Sequence, residues 1–69
     1  MNDKLNEFIN KIRMATRYSN EQLFKLEKDL NEYLLTLPES ERDEFADSEY
    51  GESLYMICSG IRYEESNKN

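Results

Sequence analysis

The chain contains no histidine and no tryptophan, a single cysteine, a single proline and two glycines. Each shortage removes a class of answers. Without histidine, the side chain most often used for general acid–base catalysis is missing. The lone thiol, Cys58, cannot build a structural zinc site by itself and excludes an intrachain disulfide. An unpaired cysteine suits a reducing compartment, so a cytoplasmic location is expected. Gly51 and Gly60 are isolated from one another and form no phosphate-cradling loop. No apolar run reaches the roughly 18–20 residues that a membrane-crossing helix needs. No membrane is therefore expected among the partners, and residues 1–10 lack the apolar centre of a signal peptide.

These gaps leave little material for catalysis. Cys58 stands among Ile57, Ser59 and Ile61, where a free cysteine reads as a small buried hydrophobe. Residues 47–52 open like a calcium-binding loop. The glycine comes one place early, however, and Cys58 stands where the closing bidentate glutamate belongs. No catalytic residue, no metal and no cofactor are expected, and the protein is read as no enzyme.

What the chain has in quantity is negative charge, unevenly placed. The 69 residues carry a formal net charge of -6. In the first half, Lys4, Lys11, Arg13, Arg17, Lys25 and Lys28 balance Asp3, Glu7, Glu21, Glu27, Asp29 and Glu32. The whole excess falls after Thr36, where only Arg42, Arg62 and Lys68 are basic. Glu39, Glu41, Asp43, Glu44, Asp47, Glu49 and Glu52 crowd one stretch with Arg42 as their sole opponent. A helix dipole favours two or three acids in a first turn. Seven exceed that need and repel one another at a cost in stability. A plain soluble surface is the bland account of the cluster. The sharper account is a surface meant for a cationic partner, which such a field would steer into contact.

Helical periodicity organises the rest. Leu5, Phe8, Ile9, Ile12 and Ala15 or Thr16 recur at spacings of three and four, predicting an amphipathic helix over residues 3–16. Asn2 or Asp3 is its expected cap. Ser19-Asn20-Glu21-Gln22 fits a capping box, with Tyr18 and Leu23 placed for a hydrophobic staple. The stripe Leu23, Leu26, Leu30, Tyr33, Leu34 and Leu37 follows. Pro38 disfavours a helical Leu37, so this helix should stop between Leu35 and Leu37. Beyond Pro38, Ser40-Glu41-Arg42-Asp43 reads as a weaker cap for a short helix around Phe45. Asp47 or Ser48 can cap a further helix carrying Tyr50, Leu54, Ile57, Cys58 and Ile61. Residues 41–63 are open to two readings, one bent helix or two.

The expected fold is all-α: a small three-helix bundle, or a four-helix one, with antiparallel neighbouring helices. Residues 1–65 form its single helical domain and residues 66–69 a polar disordered tail. A domain of this size buries only about 60% of the surface its unfolded chain exposes. Small scaffolds lean on disulfides, metals or a second subunit. With the first two excluded, tight helix packing or a homodimer is expected.

The middle of the chain also resembles a known family. Leu26-Glu27-Lys28, Leu34, Ser40-Glu41 and Phe45, together with Phe8-Ile9-Asn10-Lys11-Ile12-Arg13, are similar in general type to the small helical haemolysin-expression-modulating (Hha-like) proteins of bacteria. Those are cytoplasmic partners of the nucleoid protein H-NS. The resemblance implies a regulatory adaptor of a DNA-binding or nucleoid complex. The residues themselves imply a small acidic regulator or inhibitor that engages a basic surface of a nucleic-acid-acting protein. Phage-type host-takeover factors, immunity proteins and antitoxins have this profile. The candidate partner-binding residues are the seven acids from Glu39 to Glu52 with Tyr50 and Tyr55, because tyrosine suits interface positions with one wet end. Direct nucleic-acid binding is not expected. Affinity there comes largely from basic residues that neutralise phosphates, and the bases of this chain are interleaved with acids.

Overall fold

Each helix begins and ends where local chemistry requires it. The computed structural model describes residues 3–67. Helix α1 spans Asp3–Arg13, α2 Asn20–Leu34, α3 Glu39–Ala46 and α4 Glu49–Ser66. A single 3-10 turn, Ala15–Arg17, follows α1, so that helix ends sooner than the periodicity predicts. The apolar spacing survives the change because Ala15 remains buried at 6% exposure. Of its two expected caps, Asp3 is the first helical residue described, and Asn2 lies outside the described residues.

The capping box of α2 forms in full. The Gln22 backbone N–H donates to Ser19 Oγ at 3.2 Å, and the Ser19 N–H donates to Gln22 Oε1 at 2.8 Å. Two donors that a helix start leaves orphaned are thereby satisfied. Tyr18 and Leu23, on either side of the box, both join the core. At the other end α2 stops at Leu34 with Leu35 as its cap, in keeping with the restriction that Pro38 places on Leu37.

Residues 41–63 make two helices. Two expectations about them need correction. The start of α3 is Pro38 itself, with no side-chain cap bond, and Ser40 lies inside the first turn. Proline suits this cap position because the cap residue is extended, φ -56° and ψ 148° here, and its carbonyl, which accepts from the Arg42 N–H at 3.0 Å, makes the first helical bond without needing an N–H. Four helices therefore form among the described residues, so the three-helix version of the bundle is superseded. The break between α3 and α4 is made by Ser48. Its hydroxyl donates to the Phe45 carbonyl at 2.5 Å and accepts the Gly51 N–H at 3.3 Å. One side chain thus closes α3 and opens α4.

Gly51 is required at that corner. A Cβ there would collide with the Phe45 carbonyl oxygen and lie 3.1 Å from Ala46 Cα. Gly60, the other glycine, faces open space.

The core is one cluster. Phe8, Ile12 and Ala15 meet Leu23, Leu26, Leu30 and Leu34 of α2, Phe45 of α3, and Leu54 and Cys58 of α4. Helices α2 and α4 make the broadest contact, and the molecule measures 43 × 22 × 19 Å. No buried polar or charged residue occurs among those described. The core is therefore held by apolar packing, where each fully buried Leu or Phe contributes about 1.5–3 kcal/mol. Cys58 is wholly enclosed, its Sγ 3.8 Å from the Leu23 carbonyl. Burial, aided by Glu27, pushes its thiol pKa up to about 11. It is a core hydrophobe.

Helix α4 continues to Ser66, with Asn67 as its cap. The expected tail of residues 66–69 thus begins on a helical residue, and residues 68 and 69 lie outside those described. No helix among the described residues is long and apolar enough to cross a membrane.

Candidate protein-binding surface

The seven clustered acids occupy α3 and the first turn of α4, or the two residues between them, and every one is exposed. None forms an ion pair among the described residues. The ion pairs there join Lys4 to Glu7, Lys25 to Asp29 and Arg62 to Glu27. All three acids involved belong to the balanced half of the chain.

Arg42, the one base within the cluster, does not oppose it. Its side chain turns back, and Nη2 donates to the Leu37 carbonyl at 3.4 Å. Its Nε is buried without a hydrogen-bond partner. Helical spacing explains the turn: Arg42 stands three residues before buried Phe45, on the inner side of α3. The sequence shows Arg42 among carboxylates but not which way it faces.

The acids do not share a single face. Glu39, Asp43 and Asp47 follow one another at four-residue steps and form an outer ridge along α3. Glu41 and Glu44 line a groove whose apolar floor is Leu5, Ile9 and Phe45, with Ser48 and Tyr50 at its end. Glu52 and Tyr55 line a second groove, on the α2 side, with Leu30, Leu34, Phe45 and Met56. Phe45 lies beneath both. Glu49, at the start of α4, lines neither. The arrangement is a collar around α3 with two apolar grooves beside it.

The two candidate tyrosines differ in kind. Tyr50 is half-buried, and its hydroxyl accepts a hydrogen bond from Arg13 Nη2 at 2.7 Å. The guanidinium also lies 5.4 Å from the ring centroid. Tyr50 therefore ties the end of α1 to the start of α4, and its polar tip is already engaged. Tyr55 is 67% exposed on the wall of the second groove.

Met56, at 70% exposure, extends that apolar rim. It was not among the residues singled out from sequence, although its place off the Leu54, Ile57 and Ile61 stripe was the available signal. Among the described residues no group of three acidic or thiol side chains converges where a metal ion could sit.

Outside the collar, one of the ion pairs among the described residues joins separate helices. Arg62 bonds to Glu27 across α4 and α2 and lies 5.0 Å from the ring centroid of Phe24, a partly buried aromatic packed against the core. Phe8 packs tilted against Tyr33 at 5.9 Å between ring centroids. Compared with known proteins, the chain matches no family model, no curated protein and no solved structure.

Proposed function

We propose that this protein is a small acidic regulator or inhibitor that engages a basic surface of a nucleic-acid-acting protein. One observation carries the reading: the seven carboxylates from Glu39 to Glu52 are exposed and none is neutralised by an ion pair among the described residues. Such groups repel one another in the isolated protein. A cationic partner relieves that repulsion as it binds, and charge complementarity sets both its identity and its rate of approach. Carboxylates spaced along α3 and the first turn of α4 can occupy places that phosphates take on a nucleic-acid-acting protein. The chemistry supports a protein partner over nucleic acid, because phosphates would meet carboxylates of the same sign.

Affinity capture from the native host tests this, comparing the wild type with a variant in which Glu41, Glu44, Glu49 and Glu52 are all glutamine. The wild type is expected to retain a basic, nucleic-acid-acting protein at low salt. Retention should fall as salt rises, since exposed charges are screened beyond about 8–10 Å at physiological ionic strength, and the variant should lose it. Equal retention by both proteins at all salt concentrations overturns the reading.

A further inference from the structure

The groove between α2 and the α3–α4 corner offers more than charge. Leu30, Leu34 and Phe45 form its floor, and Tyr55 and Met56 stand on its rim. Those rim residues are 67% and 70% exposed, a placement that leaves an aromatic ring and a thioether in water beside an apolar slot. Aromatics and methionine are enriched at binding surfaces, where the flexible thioether adapts to what it meets. The only ionisable groups lining this slot besides Tyr55 are Glu27 and Glu52. Glu27 is held by Arg62, which leaves Glu52 unpaired at the mouth.

An apolar slot between helices with one unpaired carboxylate, Glu52, at its mouth is complementary to a helix that is apolar on one face and carries a cation at its edge. A second copy of this chain would bring like-charged collars together, which is unfavourable. We propose that this groove seats a cationic amphipathic helix of the partner protein. Apolar side chains one turn apart enter between Tyr55, Met56 and Leu34, and a lysine or arginine of that helix faces Glu52. The inference rests on the reading of an acidic binding protein given above and assigns that protein's partner a form.

Titrating the isotope-labelled full chain with three peptides, followed by NMR, tests it. The first is a leucine–lysine peptide patterned as an amphipathic helix, the second a scramble of the same composition, the third oligolysine. The patterned peptide is expected to shift the resonances of Leu34, Ala46, Tyr55 and Met56. Its affinity should fall by about tenfold in Tyr55→Ser and in Met56→Ser, as for a residue worth roughly 1.4 kcal/mol in an interface. Both side chains are exposed, so both variants should keep the wild-type fold.

Equal binding of the scrambled peptide, or shifts confined to the α3 ridge, overturns the groove assignment and leaves the charge-based reading standing. If the patterned peptide moves the groove while oligolysine leaves the ridge unshifted, the groove stands and the charge-based reading falls. Groove resonances that shift with protein concentration alone identify a second copy as the occupant and overturn the proposal.

Discussion

At the scale of single residues, two glycines with the same intrinsic helix penalty sit in opposite surroundings. Gly51 is pressed against the backbone of Phe45 and Ala46, whereas Gly60 meets nothing. Gly51→Ala is therefore expected to lower stability by about 1–3 kcal/mol, the range for forcing extra volume into a packed site. Gly60→Ala should raise it by up to about 1 kcal/mol through helix propensity alone. Urea unfolding of both variants checks the pair, and a gain in stability for Gly51→Ala would show that the corner is looser than described. From sequence both glycines look like weak points of one helix. What separates them is a contact with a neighbouring helix, which no residue count along α4 reveals.

Cys58 gives a pH prediction. Its thiol is held near a pKa of about 11, above the ordinary value of 9.0. Between these values the folded protein keeps a proton that the unfolded chain has released. The resulting stabilisation is full below the unfolded pKa and is lost as pH rises through the folded one. Wild-type stability should therefore fall more steeply between pH 9.0 and about 11 than that of Cys58→Ala. Parallel declines in urea midpoint for the two proteins would contradict the burial-based account. The thiol should also resist alkylation until the protein unfolds, because the reactive species is the thiolate.

At the scale of elements, the start of α2 shows how much a short motif can reveal. Ser19 and Gln22 stand at the separation a capping box needs, and both of its hydrogen bonds form. Ser19→Ala is expected to cost about 1 kcal/mol, measurable as a lower urea midpoint with an unchanged slope. The α3–α4 boundary was only half legible. Ser48 was one of two candidate caps and proves to be the working one. The start of α3 was misplaced because Ser40 has capping chemistry while Pro38 has none. Here the proline's fixed φ takes precedence over a cap bond. The apolar stripes identified nearly the whole core, since period-3.6 spacing is itself the cause of burial. They could not place Arg13 on Tyr50 or Arg62 on Glu27 and Phe24, because such pairings depend on how separate helices come together.

At the scale of the whole molecule, the charge asymmetry was plain in the sequence and its three-dimensional form was not. The collar on α3 follows from helical spacing, which spreads a linear run of acids over rather more than half of the helix circumference and leaves the side of Arg42 and Phe45 without them. The unpaired carboxylates should destabilise the isolated protein through mutual repulsion. Moderate salt is therefore expected to raise its melting temperature. The variant with glutamine at residues 41, 44, 49 and 52 should start higher and gain less from salt. Each substitution contributes about 0.5 kcal/mol or less, as is usual for surface sites. A wild-type melting curve indifferent to salt would show that the acids are too far apart to matter to one another.

The direction taken by Arg42 and Arg62 has one more consequence. Both guanidinium groups of the acidic half are engaged away from the collar, on the Leu37 carbonyl and on Glu27, so the collar draws much of its compensation from dissolved small cations. Those ions crowd the surface while it is free and return to bulk when a basic protein displaces them. The entropy of that release is then part of the driving force for docking, and it shrinks as the surrounding solution already teems with ions.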